Sequence, residues 1–307
     1  MVRLQSSLGR GLAAAVAVFG LVSLSHAQGS DSDAALMARG KYLVEGVAGC
    51  GNCHTPHNPD GTLNQKMAFA GEFVIKDPPI ASPKVGGFIA YAPNITPDKE
   101  TGIGNWTVDQ IIYAIRNGKR PDGSLLGPPM SFEFYRHISD RDVRAIAMYI
   151  KAQKPIHNVV PASTYYSPLA PYGPEVTHVP EVPRNDPVRY GEYLAGPVGH
   201  CMDCHTPRVM GVLKRNLLGE GGNLYVKPFG FSWSAVSANL TPNPEHGLGK
   251  WTDAEIKRAF TTGIAKDGHK LKAFMPFALY AHISERDQND IVAYLRSLKP
   301  EPPPDKE

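Results

Sequence analysis

The hydrophobic and polar positions of the chain predict the same helices twice. Residues 33–47 predict a first helix, and its counterpart in the second half covers residues 187–194, with Asp186 as the N-cap. The last helix of each half begins at a serine, Ser139 in one and Ser284 in the other, and serine is a favourable N-cap. Both halves are therefore predicted to open and to close with a helix.

A further helix lies between these two in each half. Capping boxes, Thr107-x-x-Gln110 and Thr252-x-x-Glu255, predict where it begins. Apolar residues follow at helical spacing, and Gly118 and Gly263 stand where a helix commonly ends. We therefore expect a mainly α-helical protein.

The two halves of the chain are copies of one pattern. Matching blocks are 151 residues apart near the first helix and 145 residues apart farther along the chain. They are GKYL with GEYL (40–43 and 191–194), NITP with NLTP (94–97 and 239–242), and GIGNWT with GLGKWT (102–107 and 247–252). Two copies at so long a period indicate two tandem domains rather than a solenoid. We place these domains at residues 28–154 and 186–307.

Residues 155–185 separate the two predicted domains and contain seven prolines. A segment so rich in proline is a poor helix, and it predicts an extended, fairly stiff linker. The predicted fold is thus two tandem helical domains joined by a proline-rich linker.

The first 27 residues predict a secretory signal peptide. Arg3 and Arg10 supply positive charge, residues 11–24 are an apolar run, and Ser25 and Ala27 are the small residues of a cleavage site. The apolar run is shorter than the ~20 residues that a membrane span needs. We expect cleavage after Ala27, no transmembrane segment in the mature chain, and a periplasmic protein that is free or peripheral to the membrane.

The four cysteines form two copies of the motif C-x-x-C-H. Disulfides are the first expectation for cysteines in an exported protein, but they do not explain a histidine after each pair. In C-x-x-C-H, two thiols attach covalently to the vinyl groups of haem and the histidine ligates the iron. The motif residues are Cys50, Cys53 and His54 in the first half and Cys201, Cys204 and His205 in the second. The sequence therefore predicts two covalently bound haem c groups.

Three other uses of the cysteines fit the pattern less well. A single zinc site would have to unite pairs that are 148 positions apart, from Cys53 to Cys201, which is unlike the spacing of ribbon or finger sites. A thioredoxin-type redox pair explains neither histidine, and no βαβ pattern surrounds the motifs. Local disulfides across each C-x-x-C also leave both histidines without a role.

Met130 and Met275 are the predicted distal ligands of the two irons. They recur at the offset of 145 residues, and each stands in a short irregular stretch well downstream of its haem histidine. A loop there can place a thioether on the iron, where methionine raises the reduction potential. A lone methionine is more often core filler, but filler has no reason to recur at equivalent positions.

Two more recurring pairs leave alternatives open. His137 and His282 are candidate distal ligands in a bis-histidine arrangement, although a partly exposed histidine two residues before an N-cap is ordinary. Trp106 and Trp251 are placed either at the haem edge, where the indole could donate to a propionate, or in the core beside a helix cap.

The composition does not favour a polyanionic partner. The formal net charge is +3, with 42% hydrophobic and 20% charged residues, and removing the first 27 residues removes two arginines. A protein that binds nucleic acid normally has a basic excess or stripe. We therefore expect no nucleic-acid partner.

Each half resembles a class I cytochrome c domain, with a helix before C-x-x-C-H, a late methionine and a closing helix. More narrowly, the blocks NITPD, GIGNWT and PPMSF, repeated as NLTPN, GLGKWT and FMPF, resemble cytochrome c subunits. These are the subunits of membrane-associated bacterial flavin- or quinoprotein dehydrogenases that act on alcohols, aldehydes and sugar acids. The resemblance covers nearly all of the mature chain. Those subunits commonly carry three haem motifs, whereas this chain has two.

The resemblance implies an exported dihaem cytochrome c that carries single electrons and is not itself an enzyme. Its expected partners are an exported flavin- or quinoprotein dehydrogenase as donor and a terminal oxidase or another cytochrome as acceptor. The alternative is a dihaem enzyme, a peroxidase or a small-molecule oxidase, with one open haem site. An enzyme should make its two sites differ, so the close match of the two methionine blocks favours the carrier. A third class, in which a cysteine ligates the haem iron, would need a fifth cysteine, because all four are already used in the two motifs.

Overall fold

The computed structural model describes residues 1, 32–77, 88–209, 211–226, 233–272 and 275–300. The predicted signal peptide, apart from Met1, lies outside the described residues. Below, the first half means residues 32–154 and the second half means residues 186–300.

The described chain is mainly helical, as predicted. Its α-helices are α1 (Asp33–Tyr42), α2 (Gly51–His54), α3 (Val108–Asn117), α4 (Phe132–Tyr135), α5 (Asp140–Lys151), α6 (Pro187–Tyr193), α7 (Cys201–Cys204), α8 (Asp253–Thr262), α9 (Phe277–Tyr280) and α10 (Glu285–Ser297). Its strands are β1 (Val74–Asp77), β2 (Phe88–Tyr91), β3 (Thr164–Tyr165), β4 (Arg208–Val209), β5 (Val212–Leu213), β6 (Leu224–Tyr225) and β7 (Ala235–Val236). The strands pair antiparallel in the orders β1-β2-β3, β4-β5 and β6-β7.

Side-chain caps define where the predicted helices begin. The Thr107 hydroxyl accepts from the Gln110 backbone N–H, and the Gln110 side chain accepts in return from the Thr107 N–H. Thr252 and Glu255 form the same reciprocal box at α8. Such a box pairs two of the backbone donors that a helix start leaves without a partner.

The first helix differs from its predicted extent. The sequence pattern predicts one helix over residues 33–47, but α1 ends at Tyr42 and the chain continues as a wider π-helical turn, Leu43–Val47. The second half repeats this arrangement with a π-helical turn over Leu194–Val198. An apolar periodicity does not separate an α-turn from a π-turn, because both bury the same side chains.

In each half the first and last helices cross in direct backbone contact. A Cβ placed on Gly40 of α1 would overlap the carbonyl oxygen of Ala145 in α5. A Cβ on Gly191 of α6 would overlap the carbonyl oxygen of Asp290 in α10 in the same way. Both crossings therefore require glycine, because no larger residue fits between the two helices.

We expect Gly40→Ala and Gly191→Ala to destabilise the protein strongly. Forcing a methyl group into a packed contact costs about 1–3 kcal/mol or more, and here the opposing atom is backbone that cannot rotate away. Denaturant unfolding of the holoprotein measures the effect. Gly196→Ala is the matched control, because its Cβ would meet no atom within 4 Å. Equal stability of Gly191→Ala and Gly196→Ala would contradict the prediction.

Each half forms an equivalent set of tyrosine hydrogen bonds with the other half. The Tyr42 hydroxyl in the first half donates to Asp287 of α10 at 2.6 Å and accepts from the N-cap Ser284 N–H. The Tyr193 hydroxyl in the second half donates to Asp142 of α5 at 2.8 Å and accepts from the corresponding N-cap N–H. A tyrosine at the end of each first helix therefore holds the start of the last helix of the other half.

The proline-rich segment lies along the first half. All of residues 155–185 are described, and they contain no helix and only the two-residue strand β3. The Asn94 side chain donates to the Ile156 carbonyl at 2.8 Å, and the Tyr165 hydroxyl donates to the Pro128 carbonyl at 2.9 Å. Farther along, the Val179 N–H donates to a carboxylate oxygen of Asp140 at 3.0 Å. The segment is thus extended and hydrogen-bonded to the first half.

Within the described ranges, no helix has both the length and the apolar character that crossing a bilayer requires.

Candidate haem sites

Each C-x-x-C-H motif lies on a single helical turn, and two residues separate it from the preceding π-helical turn. The first motif spans Cys50 and α2, and the second coincides with α7 and His205. Before each motif one residue adopts a left-handed conformation, Gly49 with φ 57° and His200 with φ 41°. Residues three positions apart on a helical turn lie on one face, so each motif presents both of its sulfur atoms to the same side.

All four cysteines are free, half-buried thiols. Burial raises the pKa of Cys50 and Cys204 to about 12 and that of Cys53 and Cys201 to about 11. A redox-active pair needs a depressed pKa, because the thiolate is the nucleophile. The site therefore does not favour a thioredoxin-type function.

The two motif histidines are held in the same way. Nδ1 of His54 lies 2.9 Å from the Pro93 carbonyl oxygen, and Nδ1 of His205 lies 2.8 Å from the Ala238 carbonyl oxygen. A hydrogen bond from Nδ1–H to a carbonyl selects the tautomer whose Nε2 is free to ligate a metal. Burial lowers the pKa of both rings, which favours the neutral, ligating form.

The repeated blocks NITP and NLTP build the loops that supply these carbonyls. The Asn94 side-chain oxygen accepts from the backbone N–H and the hydroxyl of Thr96 at 2.9 and 2.7 Å. Asn239 accepts from Thr241 in the same two ways, at 2.8 and 2.6 Å. Pro93 and Ala238 directly precede these asparagines. Recurrence of the block was the only sequence signal for this function, and it did not reveal which atom was being positioned.

Met130 and Met275 have matching surroundings. Both are half-buried, both pack against the hydrophobic core, and each carbonyl accepts from the N–H two residues later at 2.9 Å, from Phe132 or from Phe277. Each thus stands two residues before the start of a one-turn helix, α4 or α9. The irregular stretch predicted before Met130 ends at this turn, whereas residues 273 and 274 of the stretch predicted before Met275 lie outside the described residues.

Tyrosines at the ends of α4 and α9 connect the methionine segments to the cysteine motifs. The Tyr135 hydroxyl lies within electrostatic reach of Cys50 and Cys53, and with burial these thiols raise its pKa well above 10. Tyr280 is related in the same way to Cys201 and Cys204. Each methionine is therefore followed by a tyrosine near the cysteines of its own half, and these tyrosines also lie near the other motif, Tyr280 near Cys53 and Tyr135 near Asp203.

The other two recurring pairs of side chains differ in burial. His137 and His282 are exposed. Trp106 and Trp251 are half-buried and pack against the core.

The donor atoms fit covalent haem c in both halves. Each motif supplies two thiols on one helical face and an imidazole whose Nδ1 is already engaged, and the chain of each half also carries a half-buried methionine that packs against the core. In the described part of the chain, no three His, Cys, Asp or Glu side chains gather as a metal site, so the geometry does not favour a single zinc ion between the cysteine pairs.

Comparison with known families identifies part of the chain directly. The family model described as cytochrome c matches residues 193–299, which include the second motif and Met275. The matched residues are similar to a cytochrome c domain, and they contain the motif whose histidine donates to the Ala238 carbonyl.

Relatives of the whole chain are themselves cytochrome subunits. The chain is 31% identical to the cytochrome c subunit of a quinone alcohol dehydrogenase of Gluconobacter oxydans, over 96% of this chain and 62% of that subunit. It is 32% identical to a fructose dehydrogenase cytochrome subunit of Gluconobacter japonicus, over 85% and 52%. It is 29% identical to a gluconate 2-dehydrogenase cytochrome c subunit of Pantoea cypripedii, over 92% and 64%.

These matches confirm the resemblance to cytochrome c subunits of bacterial dehydrogenases that the motifs predicted. The chain spans between about half and two thirds of the length of these three relatives.

Proposed function

We propose that the protein is a dihaem cytochrome c that carries single electrons from a dehydrogenase to a downstream acceptor. The observation that supports two haems is the doubled histidine arrangement, in which Nδ1 of His54 and of His205 is bonded to a loop carbonyl. When bound, haem supplies an iron centre that accepts and releases one electron. The protein is not expected to catalyse substrate turnover itself.

The proposed roles follow from the chemistry of each side chain. Cys50, Cys53, Cys201 and Cys204 form thioether bonds with the two haems. His54 and His205 are the proximal ligands, and each loop carbonyl keeps the Nε2 lone pair available. Met130 and Met275 close the distal positions, where a thioether stabilises reduced iron. A site closed on both faces exchanges electrons and excludes small molecules.

The proposed partners are redox proteins. The three relatives named above are subunits of alcohol, fructose and gluconate dehydrogenases, which supports a flavin- or quinoprotein dehydrogenase as the electron donor. We propose a terminal oxidase or another cytochrome as acceptor, a periplasmic location after cleavage at Ala27, and two domains at residues 28–154 and 186–307 joined by residues 155–185.

Haem stoichiometry tests the proposal. The exported protein should have the mass of residues 28–307 plus two haems, and its pyridine haemochrome should be that of haem with two thioether links. Cys50→Ser combined with Cys53→Ser should remove one haem, and Cys201→Ser combined with Cys204→Ser should remove the other. Met37→Leu is the control and should keep both. A mass with a single haem in the unmodified protein, or bound zinc, would overturn the dihaem proposal.

A further inference from the structure

A hydrogen bond joins the segment after Met130 to the haem motif of the other half. The Ser131 hydroxyl donates to Oδ2 of Asp203 at 2.6 Å. Ser131 directly follows Met130, and Asp203 stands between Cys201 and Cys204. Ser131 is only 8% exposed, so water competes little for this bond.

Charged groups hold the Asp203 carboxylate in place. Its Oδ1 is paired with Arg208, which also lies 3.4 Å from Glu133 of α4. Glu133 in turn is paired with Arg215 at 2.8 Å. Two residues of the first half, Ser131 and Glu133, are thus bonded to side chains of the second.

The residues that form this network between the segment after Met130 and the second motif are not repeated between the segment after Met275 and the first motif. At the equivalent positions, Asn52 replaces Asp203, His57 replaces Arg208, and Pro276 replaces Ser131. Pro276 has no hydroxyl to donate, and Ala278 stands where Glu133 would be needed. The segment after Met275 therefore cannot form this network with the first haem motif.

The chain before Met130 is held as well. The Tyr165 hydroxyl donates to the Pro128 carbonyl, and a Cβ on Gly127 would overlap the Tyr165 ring. After Met130, the ring of Tyr135 packs edge-on against His200, with centroids 5.5 Å apart. His200 directly precedes Cys201, so α4 rests against the second haem motif through a ring contact in addition to the ionic network.

We propose that Ser131 and Asp203 are positioning residues that hold Met130 on the iron of the first haem, so that distal ligation in one half depends on the haem motif of the other. This inference rests on the proposed function, since it takes Met130 as a ligand. Asp203 acts through the Ser131 hydroxyl. The equivalent residues, Pro276 and Asn52, cannot form this hydrogen bond, so we expect ligation by Met275 to depend on no counterpart of it.

Ser131→Ala is the direct test, measured on the dihaem protein. It removes the donor and leaves Met130 and all motif residues unchanged. We expect the oxidised protein to lose part, and at most half, of its near-infrared sulfur-to-iron absorption, and one reduced haem to become accessible to carbon monoxide. One reduction potential should fall while the other stays constant. Ser131→Thr retains a hydroxyl and should restore all three properties.

Asp203→Asn tests the dependence on the other half. It keeps Cys201, Cys204 and His205, so both haems remain attached, but it removes the negative charge that pairs with Arg208 and leaves a weaker, neutral acceptor for the Ser131 hydroxyl. We expect a gain in carbon monoxide binding at the same haem as in Ser131→Ala, but a smaller one. Asn52→Ala, at the equivalent position of the first motif, is the matched control and should leave both haems closed.

The outcomes separate this inference from the function on which it rests. If Met130→Ala removes half of the near-infrared absorption but Ser131→Ala and Asp203→Asn remove none, the positioning role is wrong and the ligand assignment stands. If Met130→Ala itself changes nothing, the ligand assignment is wrong and the positioning role falls with it. Unchanged circular dichroism of Ser131→Ala shows that the spectral change is not caused by unfolding.

Discussion

Met130→Ala and Met275→Ala are each expected to open one haem iron and leave the other closed. The reduced variants should bind carbon monoxide at a single haem, and the oxidised variants should lose about half of the near-infrared absorption. The potential of the opened haem should fall by a substantial fraction of the ~0.8 V range that axial ligands set, because the thioether stabilises reduced iron. Redox titration combined with carbon monoxide difference spectra measures both effects.

Met148→Leu is the control for these variants. Met148 lies in α5, is half-buried, and has no methionine at the equivalent position of the second half. It should change neither potential. Strong carbon monoxide binding by the unmodified reduced protein would contradict two closed sites and would favour the dihaem enzyme.

Arg39→Met is expected to destabilise the protein by about 3–5 kcal/mol, since removing one partner of a buried ion pair leaves the other charge unpaired. Arg39 donates to both carboxylate oxygens of Asp142, at 2.9 and 2.7 Å, and the two side chains are only 12% and 5% exposed. The same guanidinium donates to the Tyr190 hydroxyl in the second half at 2.9 Å. The free energy of unfolding from denaturant titration measures the loss.

An exposed pair provides the comparison. Arg144 lies 3.7 Å from Asp109, with side chains 52% and 87% exposed. Arg144→Met should therefore cost no more than about 1 kcal/mol. Combining Arg39→Met with Asp142→Asn should recover part of the loss, because no buried charge is then left unpaired and the amide oxygen can still accept from the Tyr193 hydroxyl. Equal costs for Arg39→Met and Arg144→Met would show that burial does not determine the strength of the first pair.

Helix boundaries could be predicted where a local side chain determines them. Thr107 and Thr252 cap backbone donors within three residues of themselves, and Gly118 and Gly263 take the left-handed conformation that ends α3 and α8. These interactions depend on a few consecutive residues, so the sequence pattern contains all the information needed. The π-helical turn after Tyr42 could not be predicted, because its apolar residues fit a continued α-helix equally well.

Candidate ligands could also be named from the sequence, but their supporting partners could not. Cys50, Cys53 and His54 are adjacent in the chain, and so are their counterparts in the second half. The carbonyl that orients His54 belongs to Pro93, 39 residues farther along. A backbone carbonyl has no residue type that marks it, so no sequence pattern could single it out.

By itself, the amino-acid sequence determined the three longer helices of each half, the repeat, the two C-x-x-C-H motifs and the recurring methionines, because each depends on short-range spacing or on comparison of the chain with itself. Only the tertiary structure decided how the halves are joined. The bonds from Ser131 to Asp203 and from Tyr42 to Asp287 connect residues 72 and 245 positions apart. Such pairs form where folded surfaces meet, and each member alone is an ordinary serine, tyrosine or aspartate. The two halves match in sequence, yet the folded chain forms a hydrogen bond from Ser131, after Met130, to Asp203 in the other half. Pro276 and Asn52, at the equivalent positions, cannot form this bond.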